Sequence, residues 1–322
     1  MEPLSNPRSD RVKAVARLRL RSHRAKERRF LAEGPQAVRE ALRRDAERAA
    51  GAHAAAGSAV GSPARDAAQG EAVQAGGPET VLELYATGPA LERHGDIAEL
   101  ARSAGSRVRI AEPEVIAAMA DTESPQGMVA VCRMLDVPLA ELLAAEPRLV
   151  AVLARIQDPG NAGTVLRAAD SAGAGGAVVL PGTVDPYNPK VVRSTAGSLF
   201  HVPFALAGPD ALEEMRASGL CLLAADGYGE SDLDDLLDAA APGGSICSGT
   251  APGGLTGSSG EEPLLRRRTA WLFGNEAQGL SEEEETTADA RVRVPIYGRA
   301  ESLNVGTAAT VCLYASARAQ RG

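Results

Sequence analysis

A chain of 322 residues with 44% hydrophobic content can bury two ordinary cores, but with only 3% aromatics it has to pack them from Ala, Val and Leu. The formal net charge of −8 weighs against nucleic-acid binding along the whole chain. The four cysteines, Cys132, Cys221, Cys247 and Cys312, show neither CxxC spacing nor an adjacent His, so no metal site is expected. The absence of a signal-peptide segment and of an apolar run of membrane-spanning length predicts a cytoplasmic protein with reduced thiols and no membrane contact.

The charge is unevenly spread. Residues 1–30 concentrate Arg and Lys, with Arg8, Arg11, Lys13 and Arg24 among them, against Glu2, Asp10 and Glu27. A local basic patch is the footprint of phosphate binding, although a solvated helix face would look the same. Val12, Val15, Leu18 and Leu20 among the arginines predict a basic amphipathic helix within 7–29, followed by a strand at 30–32 and a helix at 36–49. The Ala/Gly/Ser/Pro-rich stretch 50–79 has too little apolar side-chain area to offset chain entropy and is expected to be a disordered insertion, with His53 in it no ligand. Strands at 81–86, 108–110 and 127–132 alternate with helices at 91–104 and 113–120, which makes residues 1–135 an α/β sandwich. A helical connector, 136–147, serves as linker.

The second domain, 148–322, opens on a buried strand of parallel-sheet type, 149–153. Asp158-Pro159-Gly160-Asn161 is turn chemistry, with Asn161 at or beside the N-cap of a helix over 163–172 on which Thr164 and Arg167 face the same way. A strand at 177–180 follows, then 188–196 with Lys190, Arg193, Ser194 and Thr195, a strand over 198–204 containing His201, a helix at 210–217 and a strand at 220–225. Residues 242–262 read as a flexible Gly/Ser/Pro-rich loop. Two apolar runs, 270–273 and 292–296, each end in a polar, glycine-bearing loop, and the second loop feeds a helix at 305–317. Strand, loop and helix in that order place backbone N–H groups at the carboxyl edge of a sheet, where α/β proteins bind ligands. Gly274, Gly279, Gly298 and Gly306 suit close backbone approach there, and Asn275, Glu276, Ser302 and Asn304 supply polar groups. Ser281 caps a helix whose first turn is Glu282 to Glu285. Neither GxGxxG nor the Walker lysine motif is present, which argues against a dinucleotide or P-loop enzyme.

GNEAQG alone is a weak signal, because Gly-rich loops after strands are common. Three motifs in order are more specific: Asn-x-Gly-x-x-x-Arg at 161–167, Gly-Asn-Glu-x-x-Gly-Leu-Ser at 274–281, and Pro-x-x-Gly-x-x-Glu-Ser-Leu-Asn-Val at 295–305. Together they resemble the SpoU (TrmH) family of RNA ribose 2′-O-methyltransferases in the SPOUT superfamily, over roughly residues 148–322. Residues 5–133 are similar to the L30e/L7Ae-like substrate-binding domain found in front of it, through NPRSDRVKAVARLRLRSHRAKERRFLAEG and ESPQGMVAV.

The resemblance implies an α/β fold with an N-terminal L30e-like sandwich and a C-terminal SPOUT domain, whose parallel sheet carries a deep trefoil knot. It implies S-adenosylmethionine as cofactor, a homodimer with each active site near the subunit interface, and structured RNA as partner. Ribosomal RNA of the 23S type is the first expectation, with transfer RNA or a non-catalytic RNA-binding role as alternatives. Carried over by motif, Arg167, Asn161, Glu276, Ser302 and Asn304 are the catalytic set. Ala224, Ala225, Asp226, Gly274, Asn275, Gly279, Val294, Ile296, Ser302 and Leu303 hold the cofactor. Arg8, Arg11, Lys13, Arg24, Lys190, Arg193, Ser194 and Thr195 contact RNA. The plain rival for Arg167 and Glu276 is a structural ion pair. One departure is visible: where the family commonly continues Ser-Val-Ala after its Ser-Leu-Asn-Val, this chain has Gly306-Thr307-Ala308, and a glycine early in a helix can loosen it by up to about 1 kcal/mol.

Overall fold

A computed structural model describes residues 2–58, 79–241 and 262–321. The loop expected at 242–262 and Cys247 lie outside these residues, as does most of the insertion expected at 50–79. Its described beginning is helical, because the helix Gly34–Ser58 runs on through alanine-rich sequence, and alanine is the strongest helix former. The chain forms two compact units, one of Met1–Leu135 with Tyr187–His201, the other of Asp136–Pro186 with Val202–Gly322.

In the first unit, strands β1 (Arg29–Glu33), β2 (Val81–Ala86), β3 (Val108–Ile110) and β4 (Met128–Arg133) form a sheet of order β1-β4-β2-β3. Only the β2–β3 pair is parallel. One face packs Leu31, Tyr85, Val129 and Val131 against Val12, Val15, Leu18, Val115 and Ile116 from helices.

The predicted basic helix is two, Asp10–Arg17 and Arg21–Glu27. The side chain of Arg24 folds back over the break and donates to the carbonyls of Leu18 (3.0 Å) and Arg19 (2.7 Å), acceptors that the first helix leaves open. Arg24 is 2% exposed. That corrects its assignment to RNA contact: it holds the corner instead.

The segment 187–201 also departs from expectation. It is not part of the second unit, and 198–204 is not a strand: Ser198–Phe200 is a 3-10 turn, and the strand is Phe204–Leu206. The cause is burial of aromatics, since Phe30 of β1 lies 4.8 Å from Tyr187 and 6.0 Å from Phe200, ring centre to ring centre. Arg193 pairs with Glu33 (3.1 Å) and Asp121 (3.2 Å), and His201 Nε2 lies 3.3 Å from Glu40. Thr195 is fully buried and donates its hydroxyl to the Val192 carbonyl, so it cannot reach RNA as expected.

The second unit is built on seven strands, β5 (Leu149–Leu153), β6 (Gly176–Val179), β7 (Phe204–Leu206), β8 (Cys221–Ala225), β9 (Ser231–Asp232), β10 (Thr269–Phe273) and β11 (Ala290–Arg293). Their order is β7-β6-β5-β10-β8-β11-β9, and every pairing is parallel. All residues of β5 and β10 are buried, which is why their sequences read as unbroken apolar runs. The C-terminal helix Val305–Arg321 is pinned to the central strand by a buried hydrogen bond from Trp271 Nε1 to Ser316 Oγ, 2.8 Å. Among the described residues no helix is long and apolar enough to cross a membrane.

Candidate active site in the second unit

The carboxyl ends of β5, β8, β10 and β11 feed four loops around a cleft of about 410 Å³, within the size range of small-molecule sites. Helix Pro159–Ala172 follows β5. Asp158, not Asn161, is its N-cap, Pro159 is its first residue, and Asp158 accepts from the Asn161 amide at 2.8 Å. Asp-Pro here starts a helix, with proline at its first position, where a turn was expected. The consequence is that the Asn161 side chain is free to bridge two loops.

It does so in one direction. The Gly306 amide donates to Asn304 Oδ1, Asn304 Nδ2 donates to Asn161 Oδ1, and Asn161 Nδ2 donates to Glu276 Oε1, each at 2.9 Å. All three motifs meet in this chain of bonds. It ends on a carboxylate, the strong acceptor, and bonds aligned head to tail polarise one another. Asn304→Ala cuts two links, each worth about 0.5–1.5 kcal/mol. In a double-mutant cycle on ligand affinity, Asn161→Ala and Asn304→Ala together are expected to lose clearly less than the sum of the single losses; strict additivity would show that the relay does not act as a unit.

The loop after β10 is closed by reciprocal backbone bonds between Asn275 and Gly279 (3.0 and 2.9 Å). Asn275 Oδ1 accepts from the amides of Ala277 and Gln278, and its Nδ2 donates to the Arg155 carbonyl at 2.9 Å. Arg155 in turn reaches Glu284 (2.6 Å) and the Gly279 carbonyl (3.2 Å). Ser281 caps the helix Glu282–Thr287 as expected, and Glu284 completes a reciprocal capping box that was not foreseen. On the β8 side, Asp226 Oδ2 accepts from Arg291 Nη2 (2.6 Å) and Nε (2.9 Å), and hydrogen bonding to Asp226 raises the pKa of this arginine.

Of the residues expected at the cofactor, Ala225, Asp226, Gly274, Asn275, Val294, Ile296, Ser302 and Leu303 line the cleft, together with Asn161, Glu276 and Asn304 of the expected catalytic set. Ala224 is fully buried within β8, and Gly279 closes the loop from behind; neither lines the cleft. Gly227, Val292, Glu301, Val305 and Ala308 line it and were not foreseen, although Glu301 stands inside the third motif. Arg167, expected in the catalytic set, does not line it. It lies with Thr164 and Ser171 on the exposed side of its helix, and among the described residues its guanidinium has no hydrogen bond or ion pair. The structural pairing with Glu276 is therefore absent, since Glu276 is taken up by Asn161.

Gly306 explains its own departure from the family pattern. A Cβ there would lie 2.6 Å from Thr164 Cγ2 and 2.9 Å from Thr164 Cβ, so the glycine permits close packing of the last helix on helix Pro159–Ala172. Helix propensity alone predicts that Gly306→Ala stabilises by about 1 kcal/mol. Overpacking, which costs about 1–3 kcal/mol, outweighs it. A lower melting temperature is the expected result, and a rise would contradict the packing argument.

Among the described residues no group of three or more His, Cys, Asp or Glu is placed to hold a metal ion. The SpoU rRNA Methylase family model matches residues 148–314, and a model described as RNA 2′-O ribose methyltransferase substrate binding matches residues 70–138. The chain is 32% identical to the 23S rRNA (guanosine(2553)-2′-O)-methyltransferase RlmP of Bacillus subtilis, over 62% of this chain and 68% of that one. It is 33% identical to the 23S rRNA (uridine(2479)-2′-O)-methyltransferase of Streptomyces viridochromogenes, over 68% and 72%. Among solved structures it resembles the AdoMet-bound rRNA methyltransferase of Sinorhizobium meliloti, with TM-score 0.67 and 25% identity over 98% of this chain and 97% of that one. The complex of the SpoU methyltransferase AviRb of S. viridochromogenes with AdoMet matches with TM-score 0.67 and 26% identity, over 98% of both chains.

Proposed function

Because the chain belongs to the SpoU rRNA Methylase family, we propose that it transfers a methyl group from S-adenosylmethionine to a ribose 2′-hydroxyl of 23S-type ribosomal RNA in the cytoplasm. The observation that carries this reading is the convergence of Asn161, Glu276 and Asn304, one from each motif, on a single hydrogen-bonded chain at the cleft. The cleft suits the cofactor. Gly274 lets the loop's own backbone close tightly at the cleft edge, since a Cβ there would sit 2.4 Å from the Gly279 carbonyl carbon. Ile296 and Leu303 remain 37% and 38% exposed as apolar surface, next to the polar groups of Ser302 and Asn275.

When bound, S-adenosylmethionine would supply a methyl group on a sulfonium sulfur: the carbon–sulfur bond breaks as the 2′-oxygen takes the methyl, the sulfur leaves as a neutral thioether and the hydroxyl proton passes to water. The protein's part is alignment and charge. The relay fixes the loops that position the ribose, and holding two reactants in line removes much of the entropic barrier of a bimolecular displacement. Arginine is a poor base, since a guanidinium stays protonated in proteins. Its planar guanidinium instead suits a phosphate and the charge that develops on the 2′-oxygen.

Arg167 stands outside the cleft of its own chain, which favours action across a homodimer. The last helix leaves Val311 40% and Tyr314 49% exposed, and the Tyr314 hydroxyl donates to the carbonyl of Ser171, on the same helix as Arg167. This surface is the proposed dimer face. Arg8, Lys13 and Lys190, exposed cations of the first unit, are proposed to contact RNA backbone, whereas Arg11 is paired with Glu83 and Arg193 with Glu33 and Asp121.

Thermal shift with S-adenosylmethionine and with NAD tests the cofactor assignment. A ligand at 100 times its Kd stabilises by about 2.7 kcal/mol, so a rise with the former alone is expected. A rise with NAD alone, or with neither, would overturn the reading.

A further inference from the structure

We infer that the first unit holds a second ligand site, a cleft that takes one unpaired nucleotide of the RNA substrate, remote in sequence from the methyl-transfer motifs. This rests on the RNA-methyltransferase reading above and goes beyond it by naming what the first unit recognises. The cleft measures about 750 Å³ and is bounded by helices Asp10–Arg17 and Arg21–Glu27 and by residues of β2 and β4. The helices lie outside the 70–138 segment that matches the substrate-binding model.

Most of its lining is polar, but part of its floor is apolar: Val15, Leu18 and Val131 line it from the buried core, with Leu82 beside them. Its rim is basic. The lining holds five Lys and Arg side chains against three Glu, in a protein whose net charge is −8. Two of the five are spoken for: Arg11 lies 3.0 Å and Arg107 3.8 Å from Glu83, which Arg109 and the Tyr85 hydroxyl also hold. This cluster braces one wall, and burial followed by the bond to Glu83 pushes the Tyr85 pKa up to about 12, which keeps its hydroxyl a donor. Arg17, Lys26 and Arg29 are exposed, and among the described residues they make no ion pair.

An apolar floor with three unpaired cations at its mouth matches a nucleobase with its flanking phosphates. A phosphate alone would leave the floor unused, and a paired helix could not offer a base to it. Proteins read RNA sequence largely through splayed, unpaired bases. The three free cations add the salt-dependent share.

Two exposed-side variants of the full-length protein separate these contributions. Ala14→Trp fills the cleft from its exposed lining position, and the double variant Lys26→Glu/Arg29→Glu reverses the rim. The probes are a fluorescent single-stranded decamer, the same sequence as a duplex, and a free 5′-mononucleotide as competitor. Expected are tighter binding of the single strand than of the duplex, a loss of about tenfold in Ala14→Trp with an unchanged salt slope, and a shallower slope by about 1.4 for the loss of two cations in the double variant. Competition by unlabelled decamer but not by the mononucleotide places the nucleotide within RNA. Wild-type single-strand affinity in Ala14→Trp, equal binding of duplex, or displacement by the mononucleotide would each overturn the inference. Methyl transfer to ribosomal RNA is measured on the same proteins. Active wild type with an unchanged RNA KM in Ala14→Trp sinks the cleft alone, whereas wild type that neither binds S-adenosylmethionine nor transfers methyl sinks the parent reading.

Discussion

Arg167→Ala is expected to lower kcat at least about 100-fold, the cost of removing one pre-placed charge from a developing oxyanion, while the Kd for S-adenosylmethionine and the melting temperature stay at wild-type values. The second half of that expectation follows from the geometry. The guanidinium is exposed, makes no hydrogen bond or ion pair among the described residues, and does not line the cleft, so nothing in the folded chain or the cofactor site depends on it. Arg167→Lys keeps the charge but loses the bidentate fork, and should recover only part of the rate. Stopped single-turnover assays with saturating RNA read the chemical step directly. Loss of stability with near-normal turnover would mean that Arg167 is structural.

Gly274→Ala is the second large effect, and it acts on binding instead of chemistry. The added Cβ would sit 2.4 Å from the carbonyl carbon of Gly279, 2.6 Å from its oxygen and 2.6 Å from the Leu280 amide nitrogen. All three are backbone atoms of a loop locked by the paired Asn275–Gly279 bonds and by Asn275 to Arg155, so no side chain can swing away. Relief requires the loop to move, at the about 1–3 kcal/mol typical of overpacking. The same loop carries Glu276, the terminus of the relay. Affinity for S-adenosylmethionine should fall about tenfold or more, since each 1.4 kcal/mol is a factor of ten. Calorimetric titration checks it, and wild-type affinity would show that the loop is softer than its hydrogen bonds imply.

How much of this could be read in the sequence depends on whether a residue's role is local. The strands β5 and β10 were legible because strands buried on both faces are apolar throughout, and the Ser281 cap was legible because the helix it starts follows it directly. Most of the cleft was legible only through the resemblance of the three motifs to the family: two are loops at the carboxyl ends of β10 and β11, and the first lies in the opening turns of helix Pro159–Ala172. Arg24 was not: an arginine among arginines gives no sign that it will turn inward to cap a helix. Nor was the membership of 187–201, whose place is decided by Phe30, Glu33 and Asp121, far away in sequence. Gly306 looked like a weakness on propensity grounds, and only the position of Thr164 shows it to be a packing requirement. Asn161 was given the wrong place at its helix start because Asp158-Pro159 reads equally as turn or as N-cap with proline at the first position.

The central claim is tested most directly by methyl transfer from labelled S-adenosylmethionine to ribosomal and transfer RNA, isolated separately from a strain lacking this gene, with wild type and Arg167→Ala side by side. Label is expected in the large ribosomal RNA, recovered after digestion as a 2′-O-methylnucleoside, and nearly absent with the variant. Label confined to transfer RNA, or equal label from both proteins, would contradict it.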